Sequence, residues 1–146
     1  MLKTQFPRLG ASLRNRVLSA PLSAQRFYSQ DASAGLIKEL SSLKDMKEFI
    51  SKENKVSVVD FYAVWCGPCK ALEPIFHKLA EKTPEVQFGR VDVDQASDLA
   101  TEYGVTAMPT CIFFKDGEKV DTIIGANPPK IVKLIKDYSG IDVTTR

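Results

Sequence analysis

Cysteine is scarce in this chain, with three in 146 residues. That is too few for a disulfide framework, and one thiol is left over if two pair. A single domain of this length builds its own core and needs no staple, so a close pair of thiols points to chemistry rather than architecture. Histidine occurs once, and there is no second Cys-X-X-Cys and no His-X-X-X-His. A tetrahedral zinc site, which takes about four ligands, finds only Cys66, Cys69, Cys111, His77 and carboxylates to draw on, so no metal is expected. No run of about 18 apolar residues occurs, and no membrane-spanning helix is predicted. Acid is missing altogether from residues 1–30, which carry Lys3, Arg8, Arg14, Arg16 and Arg26, a balance of +5. The remaining residues hold 15 Lys+Arg against 18 Asp+Glu, a balance of −3, so the net charge of +2 is a property of the leader. The body has no basic patch or aromatic RNA motif, and no nucleic-acid partner is expected.

An Arg-rich, Ser-bearing, acid-free beginning has the composition of a mitochondrial transit peptide. Leu2, Phe6, Leu9, Leu13 and Val17 recur at spacings of 4, 3, 4 and 4, one apolar stripe on a helix that Pro7 weakens at its first turn. Arginines interrupt every candidate for the continuous apolar core of a secretory signal. A chloroplast address and a plain disordered tail share the composition. Arg26-Phe27-Tyr28-Ser29 resembles a matrix-protease cleavage site. The expected division is a transit peptide over 1–28, a small-residue linker over 29–35 and one domain over 36–146.

In that domain, Leu36–Leu40 reads as a short strand. Ser41 or Ser42 caps a helix with Leu43, Met46, Phe49 and Ile50 on its apolar face. Lys55–Tyr62 is a valine-rich buried strand and Gly67–Lys82 a helix that Pro74 is expected to kink. Val86–Val93 reads as an alternating strand with a parity shift, and Ala96–Tyr103 as a short helix stopped by Gly104. Thr110–Phe114 and Lys119–Ile124 flank the turn Lys115-Asp116-Gly117-Glu118. Asn127-Pro128-Pro129 opens a last helix. The order β-α-β-α-β-α-β-β-α combines parallel crossovers with an antiparallel hairpin. It predicts an α/β domain with one mixed central sheet and helices on both faces.

The chemistry concentrates in Trp65-Cys66-Gly67-Pro68-Cys69-Lys70, between a buried strand and a helix. Cysteines at i and i+3 of a first helical turn place their Cβ atoms ~5 Å apart, slightly beyond disulfide range, so a small adjustment opens or closes the bond. A thiolate is the nucleophile, and the unpaired amides and positive dipole end of a helix start favour it at Cys66. Cys66 is therefore the expected attacking and more exposed sulfur, and Cys69 the covered, resolving one. Pro68 suits the first turn and stiffens it. Asp60 interrupts an apolar strand. Buried, it would have a raised pKa and could accept a proton; at a solvated strand end it would be inert.

Val59-Asp60-Phe61-Tyr62-Ala63-Val64-Trp65-Cys66-Gly67-Pro68-Cys69-Lys70, Pro74, Val91-Asp92-Val93-Asp94, Met108-Pro109-Thr110, and Asp116-Gly117 with Gly125 resemble the thioredoxin family. The resemblance runs from about Leu36 to Tyr138, and the leader is similar to that of mitochondrial members, which implies the matrix. It implies the thioredoxin fold and a protein-disulfide reductase without a bound cofactor, acting in redox homeostasis and peroxide defence as a monomer. The implied partners are thioredoxin reductase (an NADPH-dependent flavoenzyme), peroxiredoxin and other disulfide-bearing clients. The resemblance further implies that Asp60 takes the Cys69 proton, that Arg90 stands where relatives carry a lysine, and that the Met108–Pro109 bond is cis. Arg90, permanently charged, is expected to hold the Asp60 pKa lower than a lysine would. Trp65, Gly67, Pro68, Met108, Pro109 and Gly125 are the expected client-facing residues, with core packing the other use of Trp65. Cys111 departs from the family's usual bulky residue and reads as a buried, inert thiol or as a regulatory one. His77 is assigned no role, and Tyr62 replaces a common tryptophan. An oxidase or isomerase, and a non-catalytic interaction module, use the same residues.

Overall fold

The computed structural model describes residues 35–146; the expected transit peptide and nearly all of the linker lie outside them. The elements are β1 (Ile37–Glu39), α1 (Leu43–Ile50), β2 (Val56–Tyr62), α2 (Gly67–Lys82), β3 (Gln87–Asp92), α3 (Ser97–Glu102), β4 (Thr110–Lys115), β5 (Glu118–Ile124) and α4 (Pro128–Ser139), then a short 3-10 turn over Val143–Thr145. The order is the one the sequence predicts, save for the last turn. There Asp142 accepts from the Thr144 amide and Val143 buries itself, a local closure without a periodic signal.

Five strands form one sheet in the order β1-β3-β2-β4-β5. β1 and β2 run parallel to β3, while β4 is antiparallel to both β2 and β5. The crossovers α1 and α2 permit the parallel pairs, and the turn at Asp116-Gly117 makes the hairpin. Both turn residues have positive φ, 50° and 84°, the geometry a two-residue hairpin loop demands. On one face Val58, Phe88 and Phe113 pack with Leu72 and Phe76 of α2 and with Ile131 and Ile135 of α4. On the other, Val59, Phe61 and Ile112 pack with Met46 and Phe49 of α1 and Leu99 of α3.

Covering both faces explains a misreading at β3. The sequence predicts alternation with a parity shift, but Phe88, Gly89, Arg90 and Val91 are all buried. Phe88 and Arg90 point to the α2 side, and Gly89 and Val91 to the α1 side. Gly89 is there because a Cβ would meet Leu40 Cδ1 and Phe49 Cε1 at 3.0 Å.

Helix ends follow the expected chemistry. Ser42 accepts from the Asp45 amide at 3.1 Å and Asn127 from the Lys130 amide at 3.1 Å. α2 runs continuously through Pro74. At the free edge of β5, the Asp121 carboxylate accepts from the Thr122 amide at 2.8 Å. Among the described residues no helix is long and apolar enough to cross a membrane.

Candidate active site

β2 ends at Tyr62 and the chain turns through Ala63–Trp65 into α2, so Cys66 becomes the residue that caps the helix. Its backbone is extended, and the Cys69 amide donates to Cys66 Sγ at 3.3 Å. Pro68 occupies the first turn, where no donor is lost. Cys66 and Cys69 are joined by a disulfide, with Cα atoms 5.3 Å apart. Cys66 is the more open of the two, yet at 5% exposure against 1% it is buried rather than exposed. Its sulfur bonds back over the helix and lies 3.7 Å from the Met108 carbonyl oxygen.

Trp65, Gly67 and Pro68 flank or separate the bonded cysteines, Met108 packs on them with Pro109 next to it, and Gly125 bonds to Pro109; apolar surface extends from these six expected client-facing residues. Trp65 is 66% exposed, which excludes core packing, and its indole N–H donates to Asp94 at 2.9 Å. The Met108–Pro109 bond is cis. The loop carrying it is held by the Thr110 hydroxyl, which donates to the Ala107 carbonyl at 2.6 Å, and by the Gly125 amide, which donates to the Pro109 carbonyl at 2.8 Å. Val64 and Ile124 add exposed apolar surface that the sequence reading did not single out.

Asp60 is fully buried. It sits in a row that crosses every strand: Glu39 pairs with Arg90, Arg90 with Asp60, Asp60 with Cys111, and Cys111 with Ile123. Burial pushes the Asp60 pKa up to about 6, against the opposing pull of Arg90. Arg90 Nε stands 3.5 Å from Asp60 Oδ2, close enough for attraction but too loose for a hydrogen bond. The Cys111 thiol lies 3.9 Å from Asp60 Oδ1, and burial, with Asp60 adding to it, raises its pKa well above the ordinary thiol value.

The surroundings of Arg90 were not legible beforehand. Its guanidinium lies 3.8 Å over the Tyr62 ring, and its Nη1 donates to Glu73 at 2.9 Å. The Tyr62 hydroxyl donates to Glu39 at 3.3 Å, and burial followed by the Glu39 charge pushes its pKa to about 12. His77 stands 3.9 Å from Glu73. A surface cavity of about 410 Å³ is lined by Cys69, Lys70, Glu73, Arg90, Tyr62 and Glu39 among others, so the covered cysteine and the Arg90–Glu73 pair share one vestibule. Glu73 falls four residues after Cys69, on the same helix face, and that spacing was the available signal.

A protein-family model described as thioredoxin matches residues 38–137. The chain is 44% identical over 122 residues to "Thioredoxin-3, mitochondrial" of Saccharomyces cerevisiae, covering 84% of this chain and 93% of that protein. It is 44% identical over 106 residues to a thioredoxin of Malassezia sympodialis, covering 70% and 99%. Among solved structures, the oxidised form of mitochondrial thioredoxin 3 from Saccharomyces cerevisiae superimposes with a TM-score of 0.67 at 45% identity, covering 72% of this chain and 98% of that one. A chain from a structure on the thiol-resolving mechanism of yeast mitochondrial 1-Cys peroxiredoxin via glutathione/thioredoxin systems matches at 44% identity and a TM-score of 0.66, covering 69% and 94%.

Proposed function

The chain belongs to the thioredoxin family and is a thiol–disulfide oxidoreductase, and from that premise we propose that it is a mitochondrial protein-disulfide reductase working through Cys66 and Cys69. The observation that carries the reading is the Cys66 sulfur at the start of α2 with the Cys69 amide aimed at it. In the reduced protein the same amide solvates a thiolate.

Cys66 S⁻ attacks one sulfur of a client disulfide. The client S–S bond breaks, a Cys66–client bond forms, and the first client sulfur leaves as thiolate. Cys69 then gives its proton to Asp60 through a water and attacks Cys66 Sγ. The mixed disulfide breaks, the Cys66–Cys69 bond forms, and the second client sulfur departs. Two electrons have passed to the client, whose two thiolates take up protons. Asp60 suits the acceptor role because its carboxyl titrates near 6, close to working pH. The Met108 backbone, with Trp65, Gly67, Pro68, Pro109 and Gly125, receives an extended client segment beside the bond.

The oxidised pair is returned to dithiol by thioredoxin reductase, an NADPH-dependent flavoenzyme, and peroxiredoxins are among the clients, which places the protein in redox homeostasis and peroxide defence. The acid-free, Arg-rich leader and the mitochondrial yeast relative support a matrix address. Reduction of insulin or peroxiredoxin disulfides tests the chemistry. Cys66→Ser should be inactive, and Cys69→Ser should accumulate covalent client adducts. Full activity in Cys66→Ser would end the reading. Mass spectrometry of the protein isolated from mitochondria should find Ser29 as its first residue; a protein confined to the cytosol with residues 1–28 retained would refute the address.

A further inference from the structure

Arg90 is 6% exposed and Asp60 wholly buried, yet Arg90 Nε and Asp60 Oδ2 have no hydrogen-bond partner among the described residues. This is unexpected. A guanidinium fork beside a carboxylate normally closes into parallel N–H···O bonds, and two buried orphan atoms cost more than that closure would. The remaining contacts of Arg90 explain the gap. The Tyr62 ring centre lies 3.8 Å from the guanidinium carbon on one side, and Glu73 takes the Nη1 end at 2.9 Å. Asp60 is left with Nε at 3.5 Å.

We propose that Glu73 is a positioning residue for the proton transfer from Cys69: by drawing Arg90 toward α2, it keeps the guanidinium from closing on Asp60 and so preserves Asp60 as a proton acceptor near neutrality. The proposal rests on the Asp60 role given above. The charged and titratable groups that face Asp60 are Arg90 from β3, Glu73 from α2 and Cys111 from β4, with Cys69 of α2 joining them as a thiol in the reduced protein; Glu39 on β1, Tyr62 on β2 and His77 on α2 act on the Arg90–Glu73 pair. Of these only Glu73 is both half-exposed, at 45%, and bonded to Arg90, so it can be altered without opening the core.

The direction of the effect is fixed. Without Glu73, Arg90 is free to pair with Asp60, and a negative charge that raises the Asp60 pKa is lost. Both changes favour the carboxylate and weaken it as a base.

The Asp60 carboxyl titration can be followed by ¹³C NMR in the oxidised protein, where neither disulfide sulfur titrates. Glu73→Ala should lower the midpoint by about one pH unit. Glu73→Gln, which keeps an acceptor for Nη1, should fall between Ala and the wild type. In an Arg90→Met background the same Glu73→Ala change should shrink to the small remainder due to the Glu73 charge alone. If Arg90→Met does not fold, the Ala–Gln comparison decides. An unmoved midpoint in Glu73→Ala, a Gln variant identical to Ala, or a full shift in the Arg90→Met background would each overturn the proposal. The pH profile of mixed-disulfide resolution then separates it from the reading beneath it. The acidic limb should move down with the midpoint in Glu73→Ala and vanish in Asp60→Asn. A limb unchanged in Asp60→Asn sinks the Asp60 role itself; a limb lost there but unmoved in Glu73→Ala sinks the Glu73 proposal alone.

Discussion

Replacing Asp60 by asparagine should strengthen this protein at neutral pH while impairing it as a reductase. The carboxyl is fully buried and its pKa is pushed from 3.8 to about 6, burial outweighing the Arg90 charge. Each pH unit of displacement is worth about 1.4 kcal/mol, so keeping Asp60 ionised in the folded state costs ~3 kcal/mol. The sign follows from proton binding. Between the unfolded and folded midpoints the native state holds the extra proton, so the Asp60 contribution is fully present below about pH 4 and is lost as pH rises through about 6. Asparagine has no such loss. Urea unfolding of the oxidised wild type and Asp60→Asn, from pH 4 to pH 8, should show the variant gaining ~3 kcal/mol across that interval and little beyond it. A constant offset from altered contacts with Arg90 and Cys111 adds to both ends without changing the slope. A difference between the two proteins that stays flat over the whole range would refute the argument, because the carboxyl would then be titrating as it does in the unfolded chain.

Two further outcomes are expected. Gly89→Ala should lower stability by ~1–3 kcal/mol, since its methyl would press on Leu40 and the Phe49 ring at 3.0 Å from a central strand; a midpoint of thermal unfolding equal to or above that of the parent would show that α1 yields freely. Cys111, wholly buried with its thiol pKa raised, should resist iodoacetamide in the folded oxidised protein and react once urea unfolds it; labelling of the native protein at the rate of a free thiol would contradict its burial.

Local chemistry was what the sequence disclosed most fully. Ser42, Asp116-Gly117 and Asn127-Pro128 each act on backbone within four residues, so cap, turn and helix start could be placed before any contact was known. β2 was visible because helices cover both its faces and valine fills it. β3 was harder, since a glycine and an arginine sit where both faces are covered, and neither looks like core in a linear reading. At the site, the Cys66–Cys69 pair and Pro68 lie in one turn and were plain. The meeting of Glu73, Arg90 and Tyr62 depends on how α2 is laid across β2 and β3; the spacing from Cys69 puts Glu73 on the cysteine face of the helix but does not bring Arg90 or Tyr62 to it. Cys111 faces Asp60 only through the register of β2 and β4, which alternation does not set across strands that are buried on both sides. Cys66 is the more open of the two sulfurs, as its place before the helix predicts, although the closed bond tucks it against the Met108 carbonyl.

Among the described residues the sheet ends at β1 and β5, and the two rims differ in length. β1 is only three residues long. β5 is seven, long enough to template another molecule, but Glu118, Lys119 and Asp121 stud it and the Thr122 amide is occupied by its own neighbour. Strand addition there would have to strip water from charges and displace a bond already made. Fibrillar stacking through that border is thereby discouraged.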